Sequence, residues 1–279
     1  MNSESDSNPI FSLDTSGKFL FMRHGETLFN REKYFYSRGN PEFCDSHLSD
    51  DGINQIKLSQ ETINKLNIEK VFVSPYYRTL QTVTIALENY PNLKDITVIV
   101  HPKLAEVVCG VQEFILDIKQ NKKDFNMDSK VKIDWSYFDK YIKDIKFDEN
   151  FFYFENIDSF DEKELYDEYT YLKKLYDGND SKEGLKEELG KFLKTKNKQC
   201  SKYESNKHSY ERFENIMSFL TNEFKDTIND TNKKILCVSH SSFIKAGIES
   251  KQKAIKKQSR KHHHKQFQIK NGEIVSLFV

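Results

Sequence analysis

The sequence predicts an α/β fold: a three-layer, mainly parallel sheet with helices on both faces, and a helical insertion laid over the C-terminal ends of the strands. Three observations lead there. Short continuous apolar runs alternate with capped helical stretches from Lys18 to about residue 102, the same alternation returns after about residue 205, and the composition changes in between. Strands of a parallel sheet are covered on both faces, so they read as unbroken apolar runs.

In chain order, residues 1–16 are polar and expected to be disordered, and residues 17–279 are expected to form one domain. KFLFM is the first strand, and the stretch from Asn30 to His47, with Gly39, Asn40 and Pro41, is a loop. LSDDGINQIKLSQETINKLN follows as a helix. Ser49 is its N-cap, Asp50 and Asp51 suit the positive end of its dipole, and Ile53, Ile56, Ile63 and Leu66 keep roughly helical spacing. IEKVFVS is a second strand, SPYYRTLQTVTIALEN a helix with Ser74 as cap and Pro75 at its first position, and ITVIV a third strand ending near His101.

From about residue 110 to 205 the chain is thick with Lys, Asp, Glu, Tyr and Phe, and its helical stretches such as DEKELYDEYTYLKKLY show no strand alternation. This is the expected helical insertion, with Trp135 and its many aromatic residues forming a small core of their own. It is not expected to be a second domain, because the sheet needs both flanking halves. SYERFENIMSFLTNEF then reads as a helix, KKILCVSH as a strand and SSFIKAGIESKQKAIKKQ as a helix; FQIKNGEIVSLFV closes the chain as a hairpin turning at Asn271-Gly272.

Composition narrows the function. With 43 Lys+Arg against 43 Asp+Glu, overall charge favours neither a nucleic acid nor a membrane surface as partner. Cys44, Cys109, Cys200 and Cys237 lie far apart with no CxxC spacing, the pattern of reduced thiols rather than of a disulfide framework or a zinc site. MNSESDSNPI has neither the basic nor the apolar region of a secretory signal, Asn2 is no myristoylation site, and no run reaches the roughly 18 apolar residues of a membrane span. A cytoplasmic location is expected.

The chemistry collects at strand ends. Arg23 and His24 follow the first strand, Arg78 follows the second, and His240 follows the strand ILCVS. Ligands of open α/β sheets bind in the crevice beyond those ends, so the four residues are candidates for one site. Arginine presents a planar fork of donors matched to phosphate oxygens, and histidine can be a neutral nucleophile or a cation near neutral pH. Gly25 is expected to let the backbone approach the ligand, and the helix opening at Ser241 to offer free N–H groups beside His240. Phosphoryl transfer needs chiefly positioning and positive charge.

Arg23-His24-Gly25-Glu26 with Asn30, the SPYYRTLQT run with Arg78, Glu106 in KLAEV, and VSH with His240 resemble the histidine phosphatase superfamily, also called phosphoglycerate mutase-like. The resemblance covers residues 18–109 and 204–279 and leaves the insertion unmatched. It implies that His24 is the nucleophile that becomes phosphohistidine, that Arg23, Arg78 and His240 clamp the phosphoryl oxygens, and that Asn30 helps to hold the phosphate. Glu106 would be the general acid and base, with Glu113 and Asp117 as neighbouring carboxylates that could take the role. No metal or other cofactor is implied, since the arginines and the second histidine supply the charge.

The family contains mutases and phosphatases. The mutases resemble one another in an Asn-Glu-Arg run around the acid, in paired arginines after it, and in a Gly-Asn sequence after the second histidine. Here the acid sits in Leu104-Ala105-Glu106-Val107, no arginine occurs between Arg78 and Arg212, and Ser241-Ser242 follow His240. Metal-independent hydrolysis of a phosphomonoester through phosphohistidine is therefore expected, with a cofactor-dependent phosphoglycerate mutase as the alternative and a non-catalytic phosphate-binding scaffold as a second one. The substrate is a phosphorylated small molecule or a phosphoprotein. The insertion is expected to lid the pocket, with Arg38 and Lys103 as further anion contacts. The run Lys251–Lys265, including His262–His264, reads as a solvated face, and the edge of the C-terminal hairpin could pair into a homo-oligomer.

Overall fold

The computed structural model describes residues 15–32, 43–107, 113, 115, 118–127, 130–142, 170–171, 174–175, 178, 204, 206–225, 229–230, 232–256 and 269–277. The expected disorder of residues 1–16 falls almost wholly outside these, as do Arg38, Asp117 and the histidines at 262–264.

The chain runs β1 (Phe19–Arg23), α1 (Leu28–Arg31), α2 (Asp50–Ile63), β2 (Ile68–Val73), α3 (Tyr77–Leu87), β3 (Thr97–Val100), α4 (Ile118–Met127), β4 (Lys132–Asp134), α5 (Ser136–Ile142), α6 (Asn206–Glu223), β5 (Lys234–Ser239), α7 (Ser241–Lys256) and β6 (Ile274–Leu277). The strands form one sheet in the order β4-β3-β2-β5-β1-β6, parallel except for β6, which pairs antiparallel with β1. β5 inserts between β1 and β2, so the two halves of the sequence build the same sheet.

Side-chain alternation along the central strands splits the core in two. Leu20 and Met22 of β1, Val71 and Val73 of β2, and Leu236 and Val238 of β5 meet Ile56 and Ile63 of α2 and Leu80, Val83 and Leu87 of α3. On the opposite face Phe19, Phe21, Phe72, Ile235 and Cys237 meet Phe213, Ile216 and Leu220 of α6 and Phe243 and Ile244 of α7. These are the three layers, and such burial of large apolar side chains dominates their stability.

Three expectations change. The insertion contributes a strand: β4 pairs in parallel with β3 at the sheet edge, Thr97 opposite Lys132 and Ile99 opposite Asp134. A three-residue strand is too short for alternation to show in sequence. Trp135 and Phe138 do not form a separate core but join the cluster under α2 and α3. Ser74 does not cap α3, which begins at Tyr77 with no side-chain cap bond from its own N-cap residue, Tyr76. The Tyr77 N–H donates instead to Asp45 Oδ1 at 2.7 Å, across 32 residues of chain. At the C-terminus Gly272 turns the chain at φ 75° and β6 pairs antiparallel with β1; Phe267 and Gln268 of the expected hairpin lie outside the described residues.

Gly25 also has a different reason from the expected one. A Cβ there would meet the Gly52 carbonyl oxygen at 2.8 Å and Ile56 Cγ1 at 3.1 Å, so its side is filled by α2 and not by a ligand. Gly52 is its counterpart, since a Cβ on Gly52 would lie 2.0 Å from the Glu26 carbonyl oxygen. The pair lets α2 press against the turn that follows β1, which is further tied by the Glu26 N–H to Gln55 Oε1 and the Ser49 N–H to the Glu26 carbonyl. Replacing a helical glycine by alanine usually stabilises by about 0.5–1 kcal/mol. Gly52→Ala should instead destabilise by about 1–3 kcal/mol, read from the denaturant midpoint, because backbone must move to admit the methyl.

Candidate active site

The C-terminal ends of β1, β2 and β5 finish at one level. The His24 N–H donates to the Ser239 carbonyl, the Ser74 N–H to the Val238 carbonyl and the His101 N–H to the Val73 carbonyl, so each chain leaves the sheet beside its neighbour. Arg23, His24, Arg78 and His240 are thereby gathered at one rim, and the His24 and His240 rings lie 5.2 Å apart, edge to face.

His24 is buried, and its Nδ1 lies 2.7 Å from the Gly25 carbonyl oxygen. A carbonyl only accepts, so Nδ1 carries the proton and Nε2 keeps its lone pair. Burial, then the charges of Arg78 and Arg23, push the His24 pKa well below 6.5 against the opposing pull of the Gly25 carbonyl. The ring is therefore neutral and presents an unprotonated Nε2 among cations. The Gly25 N–H donates to Thr82 Oγ1 in α3, whose hydroxyl donates in turn to the Arg78 carbonyl, so the turn that carries His24 and the helix that carries Arg78 are tied together.

His240 was expected to clamp phosphate directly and to supply positive charge; its surroundings assign it otherwise. It is 0% exposed, its Nδ1 accepts from Arg78 Nε at 3.2 Å, and its Nε2 is 2.8 Å from Ser74 Oγ. An accepting Nδ1 puts the ring proton on Nε2, which donates to the serine. Burial, then Arg78, His24, Arg212 and Arg23, lower its pKa well below 6.5, so the ring is neutral. It sets the guanidinium of Arg78, which also lies over the Tyr76 ring at 4.5 Å. Ser74, read from sequence as a helix cap, is thus the residue that orients His240.

Glu106 is buried, with Oε1 accepting the N–H groups of Val107 at 2.8 Å and Phe243 at 3.2 Å, and Oε2 facing the N–H of Ser242 at 3.5 Å. The carboxyl therefore sits at the N-terminus of α7. Burial raises its pKa above 4.5, and the Val107 N–H, Arg78, the Ser242 N–H and Arg23 oppose the rise.

The backbone that carries Glu106 is gripped by a residue that sequence reasoning passed over. Arg212, on α6 and 3% exposed, donates from Nη1 to the carbonyls of Lys103 at 2.9 Å and Ala105 at 2.7 Å, and from Nη2 to that of Glu106 at 3.4 Å. Its Nε and Nη2 donate to the two oxygens of Glu204, at 2.9 and 2.8 Å, and Glu204 also meets His208 Nδ1 at 2.9 Å. Glu204 stands at the far end of the insertion, so one buried arginine ties that end to the segment where the insertion begins. Burial alone would raise the Glu204 pKa, but the charge of Arg212 and the bonds from His208 and Arg212 outweigh it and hold it at about 2.

Arg23, His24, Asn30, Arg78 and Glu106 line one cavity of about 70 Å³, together with Thr27, Phe29, Phe43, Ser46 and Glu113. Asn30 belongs to a capping box in which its Oδ1 accepts from the Thr27 N–H at 3.2 Å and Thr27 Oγ1 accepts from its own N–H at 3.1 Å. Ser241 opens α7 but is not among the lining residues, nor is Lys103, whose place is to offer its carbonyl to Arg212. His101 is a strand-end residue, its Nδ1 accepting from the Lys103 N–H at 3.2 Å.

The sheet, with these residues at adjoining strand ends, defines an α/β protein with a small cavity lined by Arg23, His24, Arg78 and Glu106. A family model described as the histidine phosphatase superfamily (branch 1) matches residues 19–136. It is similar to Fructose-2,6-bisphosphatase TIGAR B of Danio rerio, 36% identical over 92 residues that make up 33% of this chain and 34% of the relative. It is also similar to a 2,3-bisphosphoglycerate-dependent phosphoglycerate mutase of Chlamydia abortus, 33% identical over 82 residues, 29% of this chain and 34% of that one. The chain thus spans about a third of the length of these curated relatives. Among solved structures, the ecdysone phosphate phosphatase from Bombix mori in complex with tungstate aligns over 92% of this chain and 86% of that one, at a TM-score of 0.47 and 13% identity.

The Arg212 cluster yields a test. Arg212→Ala leaves Glu204 buried without its counter-charge and should cost about 3–5 kcal/mol in chemical denaturation. The folded pKa of Glu204, about 2, lies below its ordinary 4.5. Its ionic contribution is therefore complete above pH 4.5 and lost as the pH falls from there towards 2. Glu204→Gln should flatten the loss of stability across that window.

Proposed function

We propose that the protein is a metal-independent phosphomonoester hydrolase that works through a phosphohistidine on His24. The observation that carries this reading is the bond from His24 Nδ1 to the Gly25 carbonyl, which leaves Nε2 with its lone pair in a cavity lined by Arg23, Arg78 and a buried carboxyl. Arg23 adds a further argument. Its Nη1 donates to the Ile269 carbonyl at 2.7 Å, while its Nε is buried without a partner among the described residues, a donor that a phosphoryl oxygen would satisfy.

In the first step His24 Nε2 attacks phosphorus, the bond to the ester oxygen breaks, and that oxygen takes the proton of Glu106. The charge spread over the phosphoryl oxygens is met by Arg23, Arg78 and the Asn30 side chain. In the second step the Glu106 carboxylate takes a proton from water, whose oxygen attacks phosphorus. The phosphorus–nitrogen bond breaks, its electron pair returns to Nε2, and inorganic phosphate leaves with Glu106 protonated again. His240 and Ser74 act through Arg78 as positioning residues.

The similarity to an enzyme named as a phosphoglycerate mutase supports a second reading, transfer of the phosphoryl group between substrate oxygens. Comparing free phosphate release with 3- to 2-phosphoglycerate interconversion separates the two, and interconversion that outpaces release would favour the mutase.

A labelled substrate should leave phosphate on His24 in an acid-labile, base-stable form, and His24→Ala should lower turnover by at least about 10³-fold while keeping the fold. Absence of label from folded wild-type protein would contradict the reading. Because burial, Arg78 and Arg23 hold the His24 pKa well below 6.5, kcat/KM should persist as the pH is lowered through that value. On the alkaline side activity should fall as Glu106, with its pKa raised above 4.5, loses its proton. Glu106→Gln should remove that limb together with about 10²–10⁴-fold of the rate.

A further inference from the structure

Phe43 and Ser46, from the segment between α1 and α2, line the cavity, whereas Asp45 beside Ser46 does not and is buried elsewhere. At φ 47° it is the one non-glycine residue in the left-handed region among the described residues, a conformation that aspartate and asparagine tolerate better than most. Both of its carboxylate oxygens are engaged. Oδ1 accepts the Tyr77 N–H at 2.7 Å, and Oδ2 accepts the side-chain amide of Asn121 at 2.6 Å. Three pieces of chain therefore meet on one carboxylate: the cavity wall, the first residue of α3, next to Arg78, and α4 of the insertion.

Both sides of this junction are built for it. On α4, Ile118, Asn121 and Phe125 are buried and spaced to share one face, the Phe125 ring meets the Tyr77 ring at 4.8 Å, and Asn121 is the polar member whose amide needs a partner there. On the wall, the Leu48 N–H donates to Gln81 Oε1 of α3 at 2.8 Å. The His47 carbonyl and the Ser46 hydroxyl accept the N–H groups of Leu28 and Phe29 in α1, the helix that carries Asn30. A residue just before a helix can cap it without burying a charge. Here burial pushes the Asp45 pKa up from 3.8 to about 6, against the opposing pull of Arg78, Asn121 and the Tyr77 N–H. Capping alone does not call for that; what the buried carboxylate adds is a fixed placement of the helix that carries Arg78 against the cavity wall and the insertion.

We infer that Asp45 is a positioning residue of the cavity: its carboxylate holds the first turn of α3, and with it Arg78, in register with α4 and with the wall that carries Phe43 and Ser46. The effect on turnover rests on the phosphatase reading, in which Arg78 receives a phosphoryl oxygen; the placement of Arg78 itself does not. Asp45 touches no reacting atom and acts through the backbone of Tyr77.

Two substitutions test this in the full chain. Asp45→Gly deletes the carboxylate and suits the positive φ; Asn121→Leu removes the amide, keeps the bulk and leaves one oxygen of Asp45 unpaired. Solvent exchange of the Arg78 Nε–H, bonded to His240 Nδ1, is followed by NMR, with the Arg212 Nε–H, bonded to Glu204, as control. Exchange at Arg78 should quicken by at least about tenfold in Asp45→Gly and threefold in Asn121→Leu, while Arg212 stays within about twofold. The kcat/KM for p-nitrophenyl phosphate should fall by about 10–100-fold in Asp45→Gly. In an Arg78→Lys background the same substitution should change it by less than about threefold, because the group that it positions is gone. Unchanged exchange at Arg78, equal quickening at Arg212, or an undiminished loss in the Arg78→Lys background would overturn the inference. Should Asp45→Gly fail to fold, the exchange rates in Asn121→Leu decide by the same criteria. Selective quickening at Arg78 in a protein whose wild type releases no phosphate would sink the phosphatase reading and leave the placement of Arg78 by Asp45 standing.

Discussion

A neutral imidazole held beside two permanent cations is the condition on which the rest of this site depends. His24 would be useless as a nucleophile if its second nitrogen were protonated, and an exposed histidine would lose part of its population that way near neutral pH. Here burial and the charges of Arg78 and Arg23 disfavour the imidazolium, and the Gly25 carbonyl fixes which nitrogen keeps the proton. In the proposed hydrolysis the same guanidinium groups that keep the base free would receive the phosphoryl oxygens, so one cluster of charge would do both jobs.

The fold delivers that condition through a chain of contacts running outward. Gly25 and Gly52 let α2 close against the turn after β1, and Thr82 ties that turn to α3. Ser74 orients His240, which holds Arg78 by its Nε while Tyr76 supports the guanidinium from beneath. On the far side Arg212 draws three carbonyls of the Glu106 segment towards α6, and Glu106 in turn caps the start of α7. Each layer of the sheet therefore supplies one anchor, which is why both halves of the chain are needed for one rim.

What could be read from the sequence was whatever is encoded locally or by residue type. The buried runs around Phe21, Phe72 and Cys237 announced strands because a strand covered on both faces has no polar alternation. Ser49 announced α2, whose N-cap it is, because capping is a matter of a few consecutive residues. Arg23, His24 and Arg78 drew attention by residue type and strand-end position, Glu106 and Asn30 through the family resemblance, and all five line one cavity. Ser74 read as a cap because serine before proline usually is one; only the third dimension shows its hydroxyl facing His240 across 166 residues. The Asp45 cap of α3, the β4 edge strand and the entry of Trp135 into the main core are likewise long-range facts with no local signature. Arg212 looked like one more charge on an amphipathic helix, and nothing in its neighbourhood in sequence tells that it faces inward to carbonyls more than a hundred residues away.

The protonation state of His24 can be observed directly by ¹⁵N NMR of labelled imidazoles, with the resonances assigned through their loss in His24→Ala. At pH 6.5 the account predicts a neutral ring with a protonated Nδ1 and a pyridine-like, unprotonated Nε2. An imidazolium with both nitrogens protonated at that pH, or the opposite tautomer, would contradict it.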